Sequence, residues 1–210
     1  MKINIDRQLQ NILPSFNIIG YLMEVENNET NNVKELLNNL DVDLKLENVT
    51  TDPLIKETRD GYKKLGKDPS HTRPACEALV RRVIKKSGIY SLGDLIDLGN
   101  ILSVKTKRSV CVVDSDKIDG DVLIRIGNDG EYVEAIHRAP INASNLIVYT
   151  DNTGIFGSPT SDTMRTAVTK DTKNILVMII CFTNNNLKDD EELLVNLYQT
   201  YANAKNLIKI

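Results

Sequence analysis

The sequence has three cysteines and two histidines, with no C-x-x-C or H-x-x-H spacing among them. Structural zinc needs closely paired ligands of these types, so no metal site is expected, and no other cofactor is indicated. Cys76, Cys111 and Cys181 are odd in number and far apart, which suits reduced thiols in a cytoplasmic protein better than a disulfide framework. Long apolar runs are missing too. The longest, Ile175 to Phe182, is far short of the ~20 residues that cross a bilayer. The opening MKINIDRQLQ has neither the apolar stretch nor the cleavage site of a secretory signal. A cytoplasmic chain with no membrane partner is therefore expected. An excess of positive charge is also lacking, since 26 Lys and Arg face 29 Asp and Glu for a formal charge of -3. Coating nucleic acid requires clustered cations on phosphates, so any such contact must be local.

What is present is a chain of 210 residues that is 41% hydrophobic. That length buries roughly 70% of the unfolded surface on folding, enough for a core without staples. No linker or low-complexity stretch divides residues 1–210, which read as one domain. Phe16 to Val25 mixes β-branched and aromatic residues and predicts a strand, followed by a polar loop. Val33, Leu36, Leu37 and Leu40 follow the spacing of a helix face over 31–40. A second helix is expected over 52–65, ending near Gly66. Pro74 suits the first turn of a third, with Cys76, Leu79, Val80, Val83 and Ile84 buried and Gly88 as its stop. Glu77 and Arg81 form an i,i+4 pair on it, worth a few tenths of a kcal/mol.

From Val110 the pattern becomes short β-like runs at 110–113, 121–126, 131–135, 146–150 and 175–182, parted by turn residues such as Asn128-Asp129-Gly130. Helical spacing returns over 189–210. The expected fold class is α+β, with a largely antiparallel β core from the second half, packed helices from the N-terminal third and a C-terminal helix.

Three motifs invite chemistry and fail their own tests. Gly61, Gly66 and Lys67 match a phosphate-binding loop, but Asp68 stands where a hydroxyl must meet Mg²⁺, and a helix precedes the loop rather than a strand. Asp114 to Asp121 is dense in carboxylates, yet a calcium-loop register puts Asp119 at the glycine position and Arg125 at that of the bidentate Glu. A turn between strands explains it. Cys111 attacking with His137 as base remains open, against a buried, inert thiol.

Asp97-Leu-Gly-Asn100, then Ser109-Val-Cys111-Val-Val-Asp114-Ser-Asp116-Lys117-Ile-Asp-Gly120, resembles the editing and tRNA-binding domain of the phenylalanyl-tRNA synthetase beta subunit, built from its third and fourth modules. Gly154-Ile-Phe-Gly157 is similar to that family's Gly-Ile-Met-Gly, and Val168-Thr-Lys-Asp-Thr172-Lys-Asn174-Ile-Leu to its Val-Thr-x-x-Thr-x-Asn-Ile-Leu. The resemblance covers residues 70–182. The helix opening Arg73-Pro74-x-x-Glu77-Ala78-Leu79-x-Arg81-Arg82 resembles that of free-standing versions of the domain, and no aminoacylation site accompanies it.

The resemblance implies cleavage of a wrongly formed aminoacyl ester on tRNA, with a positioned water and backbone donors in place of an obligatory protein nucleophile. Cys111 and Ser158 are the catalytic candidates. Asn100, Gly154, Gly157, Glu134 and Arg165 are the substrate-binding ones. Arg81, Arg82, Lys85 and Lys86, with Lys63, Lys64 and Lys67 close in sequence, would hold tRNA phosphates. The expected partner is the tRNA acceptor end or aminoacyl-tRNA, with the oligomeric state open. Two departures stand out: Cys111 replaces the family's His, and Ser158-Pro-Thr-Ser161 follows the second glycine block where the family has a Glu. Tyrosine specificity is thus not implied. An inactive module that binds tRNA or an amino-acid-like ligand stays the alternative.

Overall fold

In the computed structural model, which describes residues 1–27, 31–136 and 138–210, the apolar run near Phe182 forms a strand buried on both faces. Leu176, Met178 and Ile180 point into one core and Ile175, Val177, Ile179 and Cys181 into another. A strand between two cores must be apolar at every position, which accounts for the unbroken run.

The elements in order are β1 (Ile3–Ile5), α1 (Arg7–Ile12), β2 (Asn17–Glu24), α2 (Asn31–Asn38), α3 (Pro53–Lys64), α4 (Ala75–Ile84) and α5 (Asp94–Thr106). Then come β3 (Ser109–Asp114), β4 (Val122–Ile126), β5 (Tyr132–Val133), β6 (Ile141–Asn142), β7 (Ile147–Thr150), β8 (Ile155–Ser158), β9 (Ser161–Asp162), β10 (Asn174–Cys181), α6 (Leu187–Tyr201) and β11 (Lys205–Lys209). One sheet runs β1-β4-β7-β8-β9 and the other β11-β2-β10-β3, with β5-β6 as a separate pair. The fold is α+β and largely antiparallel, with β1 on β4 as a parallel pair. No described helix is long and apolar enough to cross a membrane.

The first core fills the space between the sheets, with Cys111, Val113, Ile124, Tyr149, Phe156 and Met178 among its members. The second lies between the β10 sheet and the helices, and includes Leu98, Ile101, Val112, Leu194 and Tyr198. Gly99 lets α5 settle on β3, since a Cβ there would meet Val112 Cγ2 at 2.5 Å. Arg108, fully buried at the mouth of β3, ties α3 to α6. Its Nε donates to Asp190 at 2.8 Å, its Nη1 lies 3.6 Å from Glu57, and its Nη2 donates to the Asn185 carbonyl at 2.6 Å.

Several expectations change. The core draws β2 and β11 from the two ends of the chain as well as the second half. The C-terminal helix stops at Tyr201: Asn203 and Asn206 take left-handed backbone (φ +47° and +52°), and residues 205–209 pair with β2 instead. Asn tolerates that conformation and commonly ends a helix. α5 carries no legible period in the sequence, because most of its residues are buried and no polar face marks one. Glu77 is 1% exposed rather than part of a solvated pair, and binds three arginines.

Candidate active site

The β7-β8-β9 meander sets Tyr149 opposite Gly157, and Gly157 opposite Asp162. These residues therefore form one row across the sheet, and side chains in a row share a face. The middle member has no side chain. A Cβ on Gly157 would lie 2.8 Å from both Asp162 Oδ1 and Tyr149 Cδ2, so the glycine is what lets the carboxyl and the ring close over it. From the facing sheet, the Cys111 thiol lies beside the Asp162 carboxyl, close enough for each to shift the other's proton affinity.

Burial governs the electrostatics here. It pushes the Asp162 carboxyl up to about 7, against the influence of the neighbouring Cys111 thiol, which favours the charged form. Asp162 is itself half-buried, so the group is desolvated while the residue still reaches the surface. Burial likewise drives the Cys111 thiol well above its ordinary value, helped by the charge of Asp162. Cys111 is thus a protonated thiol with the wrong electrostatics for a nucleophile. The Tyr149 hydroxyl is also raised, by burial and then by Cys111 and Asp162.

The turn after β8 is an internally bonded structure. Ser158 Oγ accepts from the N–H groups of Thr160 (3.2 Å) and Ser161 (3.1 Å) and donates to the Ser161 carbonyl (3.2 Å). Such a hydroxyl shapes a turn and is not poised to attack. Thr160 Oγ1 pairs with Tyr62 of α3 at 2.9 Å. Pro159 O accepts from Ala75 N at 2.9 Å and Ser109 Oγ at 2.8 Å. The first turn of α4 is thereby fastened to this loop.

Of the other residues singled out, Gly157 belongs to the row, and the rest stand apart. The Gly154 N–H is taken by Asp151, at 3.1 Å from Oδ1 and 3.2 Å from its carbonyl, so it is not an oxyanion donor. Arg165 grips Asp151 with both Nη atoms (2.9 and 2.8 Å) and braces the same turn. Glu134 is exposed. Asn100 sits half-buried on α5, the helix on the opposite face of the sheet from Cys111, and makes no hydrogen bond to Cys111, Ser158 or Asp162. His137 lies outside the described residues, and so does any pairing with Cys111.

The residues that carry the resemblance prove to be joints. Asp114 Oδ2 accepts from Thr172 Oγ1 at 2.7 Å, Asp116 from Asn174 Nδ2 at 3.0 Å, and Lys117 Nζ donates to the Ala167 carbonyl at 2.6 Å. Two distant motifs are clasped together. Asp97 anchors the preceding loop, accepting from Leu92 N at 2.9 Å and Ser91 Oγ at 2.5 Å.

The basic stripe divides. Arg81 turns to Glu77 at 2.8 Å, while Arg82 donates to the Gly88 carbonyl and lies 4.7 Å from the centre of the Tyr90 ring. Lys85 and Lys86 are exposed. Lys67 donates to the carbonyls of Asn142 and Ser144, both at 2.8 Å, and Lys63 lies near Asp60.

Residues 57–195 match the model of the B3/4 domain family. The chain belongs to that family. This B3/4 domain is 30% identical over 77 residues to the phenylalanine–tRNA ligase beta subunit of Neisseria meningitidis serogroup B, a match covering 36% of the chain and 10% of that protein. The corresponding subunit of Vibrio vulnificus is 27% identical over 112 residues, or 50% of the chain and 14% of that protein. For Fusobacterium nucleatum subsp. nucleatum the figures are 23% over 172 residues, 73% and 22%. The chain thus spans between a tenth and about a fifth of these relatives. The crystal structure of an N-terminal fragment of the phenylalanyl-tRNA synthetase beta subunit from Pyrococcus horikoshii shares the fold, with a TM-score of 0.54 at 10% identity over 98% of this chain and 50% of that one.

Asp162 is the residue that sequence reasoning missed. A carboxylate does follow the second glycine block, five positions after Gly157. The Ser158–Ser161 turn spends the intervening residues on a reversal, so that Asp162 returns to Gly157's side.

Proposed function

We infer that this B3/4 domain binds the aminoacylated end of a tRNA and hydrolyses a wrongly formed ester in trans. The observation that carries this reading is the cross-sheet row Tyr149–Gly157–Asp162 facing Cys111, in which the Asp162 carboxyl closes over Gly157 and burial pushes it up to about 7. A base with that affinity for protons is matched to proton transfer at neutral pH. Asp162 takes a proton from a water, whose oxygen attacks the ester carbonyl carbon. As the carbon–oxygen bond to the ribose breaks, Asp162 returns the proton to the leaving ribose oxygen. Water and ester are consumed, and the free amino acid and a tRNA hydroxyl are produced. Cys111 acts as a positioning residue that holds the carboxyl. Family membership and relatives named as tRNA ligase subunits support a tRNA substrate.

The test is a panel of correctly and wrongly charged tRNAs, including tyrosyl-tRNA(Phe), timed for ester loss with the purified protein and in buffer. Acceleration for at least one is expected, with tyrosine not the best, since neither family anchor for its hydroxyl is kept in kind. One observation favours the alternative of a binding module: Gly154 N–H and Ser158 Oγ are both consumed within their turns, so neither is available to an oxyanion. If every ester survives at buffer rates, that reading replaces this one.

A further inference from the structure

We propose that Arg59, Arg73 and Arg81, gathered on the buried carboxylate of Glu77, form a phosphate-binding site beside the candidate active site. Arg59 Nη1 lies 2.7 Å from Glu77 Oε2, while Arg81 Nε and Arg73 Nε lie 2.8 and 3.5 Å from Oε1. One carboxylate neutralises one guanidinium. Three on a single carboxylate leave a local excess of two positive charges, in a chain whose formal charge is -3. Among the described residues none of the three has another carboxylate within ion-pair distance.

Glu77 orients the arginines as well as binding them. Its side chain is 1% exposed, and those of Arg59, Arg81 and Arg73 are 12%, 24% and 47% exposed, so the cluster rises from a buried anchor to an open rim. Guanidiniums held this way present N–H forks to phosphate oxygens at little further entropic cost. The nearby carboxylate of Asp68 accepts from Ser70 N and His71 Nδ1 and pairs with none of the three arginines, and Ser70 Oγ accepts from Arg59 Nη2 at 3.2 Å.

The elements that carry the cluster are also fastened to the β8–β9 turn. Glu77 is two residues from Ala75, whose N–H holds Pro159 O, and Arg59 lies one helical turn before Tyr62, whose hydroxyl holds Thr160. Both contacts end in the turn that brings Asp162 back to Gly157. An anion on the arginines is thus placed beside the β8–β9 turn. Resting on the reading above, its source is a backbone phosphate of the single-stranded tRNA 3′ end, and the same chemistry would accept a free phosphate compound.

Two measurements on the full chain separate these sources. Arg73→Gln removes the most exposed and most loosely paired arginine, so the fold should persist, as its melting temperature without added anion will show. Pyrophosphate should raise the melting temperature of the wild-type protein, and the rise should fall by at least half in R73Q. Uncharged tRNA should bind R73Q about 3- to 10-fold more weakly, with the slope of log K against log salt reduced by about 0.7–0.9, as for one lost phosphate contact. Lys188→Gln, on the surface of α6, should match the wild type in both. If R73Q responds to pyrophosphate and tRNA as the wild type does, the proposal is overturned. If pyrophosphate binds through Arg73 but no tRNA binds, the anion site stands and the tRNA reading falls.

Discussion

The Cys111 thiol of one sheet faces the Asp162 carboxyl of the other, and its proximity favours the charged form that burial disfavours. Removing the thiol at constant burial should therefore raise the carboxyl's affinity for protons. Ester hydrolysis that needs ionised Asp162 should increase as pH rises through about 7 and level off above it. In Cys111→Val the midpoint should move to higher pH, with less than ~100-fold loss of rate on the plateau, because a water and not a thiolate attacks. A pH–rate profile for both proteins measures this. Complete loss of activity at every pH would point to a covalent thiol.

Asp162 should also mark stability. Burial raises its folded-state pKa to about 7, well above that of a carboxyl in the unfolded chain, so the native protein holds the proton more tightly than the unfolded one. Stability from this group is full below about 4 and declines as pH rises to about 7. Asp162→Asn, which cannot ionise, should melt like the wild type at pH 4 and higher than it at pH 8, while losing at least ~100-fold in ester hydrolysis. Equal melting shifts at both pH values would remove the argument that burial sets the carboxyl's titration.

Gly157→Ala tests the gap in the row. The added methyl meets Asp162 Oδ1 and the Tyr149 ring at 2.8 Å, so one of them must move. The expected cost is about 1–3 kcal/mol in denaturant unfolding, as for overpacking in a core, with a larger fractional loss of hydrolysis than of tRNA binding. Wild-type hydrolysis in this variant would show that the Asp162–Tyr149 approach is dispensable.

Arg108 is the point at which the helical layer is pinned to the sheet. Arg108→Met should cost about 3–5 kcal/mol, because it leaves buried Asp190 and half-buried Glu57 without their cation. Adding Asp190→Asn should recover part of that loss. Chemical denaturation of the two variants decides it, and a single-variant cost under ~1 kcal/mol would mean that the carboxylates find other partners.

Local pattern was legible in the sequence wherever one face of an element meets water. α2 and α3 show their period because about half their positions are polar, β2 and β10 are read from their β-branched and apolar content, and α5, buried on most sides, shows no period. The family resemblance was legible for a related reason. Asp114, Thr172, Asp116 and Asn174 must be those residue types to clasp each other, so their spacing is written into the chain even though they hold the scaffold and do no chemistry.

The candidate site was legible only in part. Cys111 and Gly157 were read from their motifs, but Asp162 gains its meaning from a hairpin register and a thiol on the other sheet. Glu77 and Arg81 looked like a solvated helical pair until α3 and the segment before α4 brought Arg59 and Arg73 to the same carboxylate. Sequence by itself determined the segments whose one face meets water and which family the chain resembles, since both depend on side chains a few positions apart, while α5 and the turn of residues 205–209 into a strand were settled only by packing. Tertiary structure alone decided which charges are buried, which are shared and which carboxyl holds its proton near neutrality, because desolvation and charge pairing depend on neighbours that the chain brings together only by folding.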